Sequence, residues 1–179
     1  LPLSLLLIAN FDVFNRWLFI VLCLGINLLL TLLCLFIYRL LKINPLTTVL
    51  LLTIAGIALD LLLGLGMLEQ SMLSYRIISG SRYYGLGNEY MGILIGSTIA
   101  FTALFLQKCY CRHSLLMVAV LFSFIIFLIA YPLFGINVGG SITACIGLGY
   151  TYISYRKQRL NFHKVFWLLF GTGILIAII

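Results

Sequence analysis

The chain has 179 residues, of which 64% are hydrophobic and 8% are charged, and it carries a formal net charge of +7. Soluble domains typically contain about 25% charged residues and about 45–50% apolar ones, so this composition excludes a water-soluble globular domain. The basic residues are scattered over short connections and form no patch with interleaved aromatic residues, so we expect no nucleic-acid partner.

Long apolar segments predict an all-α, polytopic transmembrane helix bundle with about six spans. A helix satisfies its own backbone hydrogen bonds in hydrocarbon, and about 20 helical residues cross a core of about 30 Å. The chain opens and stops inside apolar runs, so we expect both ends to be truncated and residues 1–179 to be one transmembrane domain of a longer chain. The predicted spans are residues 17–38, 46–67, 89–106, 114–134, 139–155 and 165–179.

The third predicted span has a stripe of small residues, Gly92, Gly96, Ala100 and Ala103. Small side chains let two helices approach closely in a membrane, where no hydrophobic force drives them together. We therefore expect this stripe to face a neighbouring helix.

The distribution of lysine and arginine predicts the orientation of the bundle. Short cytoplasmic loops carry an excess of these residues. Alternate connections hold eight of the eleven, and we predict that these face the cytoplasm: Arg39, Lys42, Lys108, Arg112, Arg156, Lys157, Arg159 and Lys164. The other connections hold Arg16, Arg76 and Arg82 and are predicted to be extracytoplasmic. The four acidic residues, Asp12, Asp60, Glu69 and Glu89, lie on or towards that side in this prediction.

Asp60 is the acidic residue that lies well inside a predicted span, whereas Glu89 is the first residue of its span. A carboxylate within the membrane is costly, so it is a functional candidate by default. If the span ends at residue 67, Asp60 lies seven residues, or about 10 Å, below its outer end. We interpret it as a base or ion ligand. The alternative, that it pairs with Arg76 or Arg82 and fixes the outer loop, stays open.

The segment 81–89, Ser-Arg-Tyr-Tyr-Gly-Leu-Gly-Asn-Glu, is the most informative part of the sequence. Arginine binds phosphate or carboxylate with two parallel hydrogen bonds, and tyrosines offer ring faces and hydroxyl groups. Glycines permit a tight turn, Asn88 is suited to capping the third span, and Glu89 suits its first turn. These residue types predict a site for an anionic or sugar-bearing group.

A second glycine-rich turn, residues 132–140, is predicted to lie on the same side of the membrane. We predict catalytic roles for Glu89 and Asp60. Substrate-binding roles are predicted for Arg82, Tyr83, Tyr84, Gly85, Gly87, Asn88 and Asn137. Two ordinary tight turns are the alternative. Cys109 and Cys111, with His113 nearby, lack a second pair of ligands, so we predict no metal site there.

The R-Y-Y-G-x-G-N-E run at residues 82–89, with Asp60 upstream and the G-x-N-x-G-G run at residues 135–140 downstream, resembles an uncharacterised family of large bacterial polytopic membrane proteins. The resemblance covers roughly residues 59–140. It implies a bacterial cell-membrane location and a longer parent chain, and it implies no particular activity or cofactor. The sequence departs from the family pattern at residues 76–77, where it has Arg-Ile.

Three functions fit these observations. The first is an extracytoplasmic site for an anionic, lipid-linked phosphate or sugar substrate in envelope biogenesis. The second is an ion-coupled secondary transporter or flippase in which Asp60 and Glu89 carry protons or cations. The third is a membrane anchor for appended domains of a longer chain, whose immediate partners are the membrane lipids. Whether the protein is an enzyme stays open.

Overall fold

The computed structural model describes residues 2–9, 16–73, 85–135, 137–156 and 171. Within these ranges the chain is helical and contains no strand, so the all-α prediction is confirmed for them. The helices are α1 (Pro2–Ile8), α2 (Arg16–Leu41), α3 (Pro45–Leu63), α4 (Met67–Gln70), α5 (Asn88–Lys108), α6 (Arg112–Ala130) and α7 (Val138–Tyr155).

Four of these helices, α2, α3, α5 and α6, are long and apolar enough to cross a membrane. They coincide with the first four predicted spans. Helix α7 coincides with the fifth, but its 18 residues include four glycines and three tyrosines, and it is not among the four. The sixth predicted span, residues 165–179, lies outside the described residues apart from Gly171. The chain is therefore a membrane-type helical protein, and the count of about six spans stays a prediction.

The core of the bundle lies between α3, α5, α6 and α7. Helix α3 packs mainly on α5, and α6 packs mainly on α7, while α5 contacts all three. Fully buried side chains from these helices fill the space between them, including Tyr90, Leu94, Ile125, Leu128 and Leu148. Helix α2 lies against α1 and α3 and is largely exposed, as expected of a helix that faces lipid.

Hydroxyl groups inside the bundle are satisfied by the helices that carry them. Thr53, Thr98, Thr102 and Thr151 each donate to the carbonyl oxygen four residues earlier, at 2.7–2.9 Å. Among the described residues, no buried side-chain polar atom lacks a hydrogen-bond partner. The helices can thus hold these residues in hydrocarbon without an unpaired polar group.

The small-residue stripe of the third predicted span does not face a described neighbour. Gly92 and Gly96 of α5 are exposed, and an added Cβ at either would meet nothing within 4 Å. The packing face of α5 instead carries Tyr90, Leu94 and Thr98. Among the described helices, these two glycines therefore make no close helix contact, because large side chains, which fill the core, supply the contacts with α3, α6 and α7.

Charge is segregated between the two ends of the bundle. We call the end where α3 ends and α5 begins the acidic end, because the described carboxylates of Asp60, Glu69 and Glu89 lie there. Among the described residues, this end also carries one basic residue, Arg16 at the start of α2. The opposite end, which we call the basic end, holds no carboxylate among the described residues. It carries Arg39, Lys42, Lys108, Arg112 and Arg156.

Candidate functional site at the acidic end

Helix α3 ends four residues earlier than the sequence predicted. Gly64 adopts a left-handed conformation (φ 62°), and its N–H donates to the carbonyl oxygen of Asp60 at 2.9 Å. Glycine takes this conformation at little steric cost, so it is a common helix terminator. Asp60 therefore lies in the last turn of α3, three residues from its end at Leu63.

The carboxylate of Asp60 holds the start of α4. One oxygen accepts the backbone N–H of Met67 at 2.9 Å, and the other accepts that of Leu68 at 3.0 Å. The side chain is only 5% exposed. Free N–H groups at a helix start stabilise a negative charge, and such charge-assisted bonds are stronger than neutral ones. Asp60 thus fixes the turn between α3 and α4, whereas its alternative partners Arg76 and Arg82 lie outside the described residues.

The two glycine-rich turns meet at this end. The backbone N–H of Leu86 donates to the carbonyl oxygen of Gly135 at 2.8 Å. Gly85, just before this contact, has φ 84°, as expected for a glycine in a tight turn. The structure therefore brings together two segments that lie about 50 residues apart in the sequence.

Asn137 links the two turns through its side chain. Its amide nitrogen donates to the carbonyl oxygen of Leu86 at 3.0 Å and to the side-chain oxygen of Asn88 at 3.2 Å. Its own side-chain oxygen accepts the N–H of Gly140 at 2.7 Å, which caps α7. Asn137 is only 2% exposed. Its amide is therefore engaged within the protein, and a contact with a substrate would require this network to open.

Two glycines of the second turn allow this close approach. A Cβ at Gly135 would lie 2.5 Å from the carbonyl oxygen of Ile129 and 2.6 Å from that of Leu128. A Cβ at Gly140 would lie 2.8 Å from Cγ of Asn137. Contacts this short do not occur at real Cβ atoms, so the turn requires glycine at both positions.

The first motif is described only in part. Arg82, Tyr83 and Tyr84 lie outside the described residues. Asn88 does not cap α5 as expected, because Gly87 occupies the cap position and Asn88 is the exposed first residue of the helix. Glu89 lies in the first turn, as expected. A Cβ added to Gly87 would lie 3.7 Å from one carboxylate oxygen of Glu89. The Glu89 side chain therefore folds back over the start of the helix.

An open cleft of about 230 Å³ lies beside these turns. It brings together two residues of the predicted site, Asp60 and Gly85. Asn88, Glu89 and Asn137 are not among the residues that line it. The other lining residues are Leu61, Gly64, Gly66, Leu68, Glu69, Leu133 and Phe134. The predicted catalytic residues Asp60 and Glu89 thus do not both face this cleft.

The sequence analysis did not assign Glu69 and Phe134 to a site. Glu69 sits on α4, the short helix that Asp60 holds, so its position depends on the α3–α4 turn. Phe134 belongs to a cluster of rings with Phe127 and Tyr131, at centroid distances of 6.1 and 5.2 Å. An acidic residue and a phenylalanine near a span end are common, so neither stood out before the fold was known.

A further hydrogen bond at this end joins two buried hydroxyl groups. The hydroxyl groups of Tyr90 and Ser71 lie 2.5 Å apart, and both residues are buried. This bond ties the segment after α4 to the first turn of α5. It requires the tyrosine directly after the motif, a residue to which the sequence analysis assigned no role.

Comparisons with protein-family models, curated proteins and solved structures give no match. The resemblance to a family of bacterial membrane proteins therefore stays a prediction. Among the residues that the structure describes, no group of three or more histidine, cysteine, aspartate or glutamate side chains lies close enough to hold a metal ion.

Proposed function

We propose that the chain is a multi-pass protein of the bacterial inner membrane whose acidic-end cleft binds the polar head of an anionic, lipid-linked sugar phosphate in envelope biogenesis. The observation that carries the proposal is the cleft itself, where Glu69 and Phe134 meet the turn that follows Arg82 in the sequence. In this proposal the acidic end faces outward and the basic end faces the cytoplasm.

The lining residues suit a sugar head group. The carboxylate of Glu69 can accept hydrogen bonds from sugar hydroxyl groups. The ring of Phe134 offers an apolar face for the C–H side of a sugar ring. The described lining carries no cation, so the anion requires Arg82. That residue precedes Gly85, which lines the cleft, by three positions in the sequence.

The proposal divides the acidic residues by role. Asp60 positions α4 and therefore Glu69, which contacts the substrate. Glu89 is folded over the start of α5 and does not line the cleft, so its role as a base stays a prediction from the sequence. Both oxygens of Asp60 already accept backbone N–H groups, so the carboxylate is engaged in holding α4. Asp60 is thus better suited to positioning α4 than to transferring a proton.

Binding to the purified full chain tests the proposal. Native mass spectrometry in nonionic detergent would measure binding of two probes. One is a short-chain polyprenyl phosphate sugar, and the other is the same polyprenyl chain without phosphate. We expect Arg82→Gln and Glu69→Gln to weaken binding of the phosphate sugar about tenfold. The control is Gln70→Ala, an exposed neighbour of Glu69 outside the cleft lining, which should bind as the parent does. Equal binding by the parent and Arg82→Gln would contradict the proposal.

Orientation is tested by labelling intact cells with a membrane-impermeant maleimide. Cysteine at position 82 should react from outside. Cys109 and Cys111 are exposed at the basic end and should react only after the cells are permeabilised. The reverse pattern would place the cleft in the cytoplasm and remove its access to an extracytoplasmic substrate.

The second candidate is an ion-coupled transporter or flippase, which the acidic cleft also favours. In that case Glu69 or Glu89, rather than the doubly bonded Asp60, would carry the ion. Transport into proteoliposomes would then depend on a proton or sodium gradient and would be lost in Glu69→Gln. Substrate binding without gradient-dependent transport would favour the first proposal. If the full chain showed neither binding nor transport, the membrane anchor would be favoured.

A further inference from the structure

A second cavity lies at the basic end, between the start of α6 and the end of α7. Its volume is about 370 Å³. It is lined by Arg112, His113, Leu115, Leu116, Tyr152 and Arg156. Arg112 at the start of α6 and Arg156 directly after α7 thus face one space.

The protein fixes the position of this cavity's two walls. The hydroxyl group of Tyr110, in the turn before α6, donates to the carbonyl oxygen of Tyr155 at 2.6 Å. The hydroxyl group of Tyr155 in turn donates to the carbonyl oxygen of Ile99 in α5 at 3.1 Å. These bonds hold the last turn of α7 against α5 and the α5–α6 turn. Arg156, the next residue, is therefore kept on the same cavity as Arg112.

No described residue neutralises this pair of arginines. Arginine stays charged at any physiological pH, and two like charges on one cavity repel each other. The described carboxylates of the chain, Asp60, Glu69 and Glu89, all lie at the opposite end of the bundle. An anion in the cavity would supply the missing negative charge, and guanidinium groups bind phosphate with paired hydrogen bonds.

The cavity also continues into an apolar surface. Leu115 and Leu116 form part of its wall. Leu116 and Val120, one turn apart on α6, are each 63% exposed, and α6 is apolar enough to span a membrane. A ligand with a phosphate at one end and hydrocarbon at the other would match both parts of this surface.

We propose that the basic-end cavity binds the head group of an anionic phospholipid. The phosphodiester contacts Arg112 and Arg156, the hydroxyl group of Tyr152 donates to the head group, and an acyl chain runs along Leu116 and Val120. Basic pockets between membrane helices are suited to such lipids. This site is at the other end of the bundle from the acidic-end cleft, so the inference does not depend on the proposed function.

The test uses the purified full chain in nonionic detergent and native mass spectrometry. The probes are phosphatidylglycerol, phosphatidylcholine with the same acyl chains, and inorganic phosphate. We expect phosphatidylglycerol to bind at least fivefold more tightly than phosphatidylcholine, because the trimethylammonium group of the latter is repelled by the arginines. The double variant Arg112→Gln/Arg156→Gln should lose this preference, while Arg112→Lys/Arg156→Lys should keep most of it.

The matched control is Arg39→Gln/Lys108→Gln, which removes two positive charges from the same end but outside the cavity. It should bind phosphatidylglycerol as the parent does. An equal loss in this control would show a general effect of charge and overturn the site. Unchanged lipid preference in Arg112→Gln/Arg156→Gln would also overturn it. Displacement of phosphatidylglycerol by millimolar inorganic phosphate would show that a free anion, not a lipid, occupies the cavity.

Discussion

Asn137 donates through its side-chain amide to the carbonyl oxygen of Leu86, 51 residues earlier in the chain, at 3.0 Å. The same side chain caps α7 through the N–H of Gly140. One buried residue therefore sets both the start of α7 and the distance between the two glycine-rich turns. Four predictions test this end of the bundle and the thiols at the other.

Asn137→Ala should destabilise the protein by roughly 2–4 kcal/mol, because it leaves the carbonyl oxygen of Leu86 and the N–H of Gly140 without this partner. The measurement is equilibrium unfolding in mixed detergent micelles. Asn88→Ala is the control. It is exposed and loses one bond of 3.2 Å, so it should cost less than about 1 kcal/mol. Equal costs would show that Asn137 does not hold the turns together.

Gly135→Ala should be strongly disruptive, with a cost above about 3 kcal/mol, because its Cβ would meet rigid backbone atoms of Leu128 and Ile129. Gly147→Ala in α7 is the opposite case, since its Cβ would meet nothing within 4 Å. It should stabilise the protein by about 0.5–1 kcal/mol through the higher helix propensity of alanine. Thermal unfolding of both variants in the same detergent compares their stabilities. A Gly135→Ala variant more stable than Gly147→Ala would contradict the prediction.

Asp60→Asn should cost about 1–3 kcal/mol, because an amide group can accept only one of the two N–H bonds from Met67 and Leu68. Glu69→Gln, which keeps the shape of a cleft-lining side chain, should change the free energy of unfolding by less than about 0.5 kcal/mol. Hydrogen exchange should rise at residues 67 and 68 in Asp60→Asn alone. Unchanged exchange there would mean that Asp60 does not hold α4.

Cys111 should react with iodoacetamide at lower pH than an ordinary exposed thiol. When Cys111 is a thiolate, its sulfur can accept hydrogen bonds from the hydroxyl group and from the N–H of Ser114, and these two donors lower the pKa of the Cys111 thiol. A lower pKa leaves more reactive thiolate at a given pH. Ser114→Ala removes the first of these donors and should shift the midpoint of the rate–pH profile upward. Peptide mass spectrometry of alkylated protein gives the rate, and an unshifted midpoint would contradict the assignment.

The helical class and the approximate positions of the four candidate spans followed from the sequence because apolar length and turn chemistry are local properties. Predicted and observed boundaries differ most at helix ends set by turn geometry. Helix α3 ends at Leu63 because Gly64 is left-handed, and α6 ends at Ala130, two residues before Pro132, although apolar residues continue beyond both points.

The candidate site was predicted only in part. Position in the sequence indicated that the two turns lie at one end, and the bond between Leu86 and Gly135 joins them there. Sequence alone gave no means to foresee that Asn137 faces inward or that Glu69 faces the cleft. Both depend on contacts between segments far apart in the chain, and Glu69 depends also on the carboxylate of Asp60.

The early end of α3 also bears on how the protein fits its bilayer. With 19 residues, α3 is about 28 Å long, slightly less than the usual hydrocarbon thickness of about 30 Å. Lipids around α3 must thin slightly, or the turn held by Asp60 must sit at their glycerol level. A molecule anchored by its tail in the leaflet on the side of the acidic end would thus meet the cleft at its own depth, without being lifted from the bilayer.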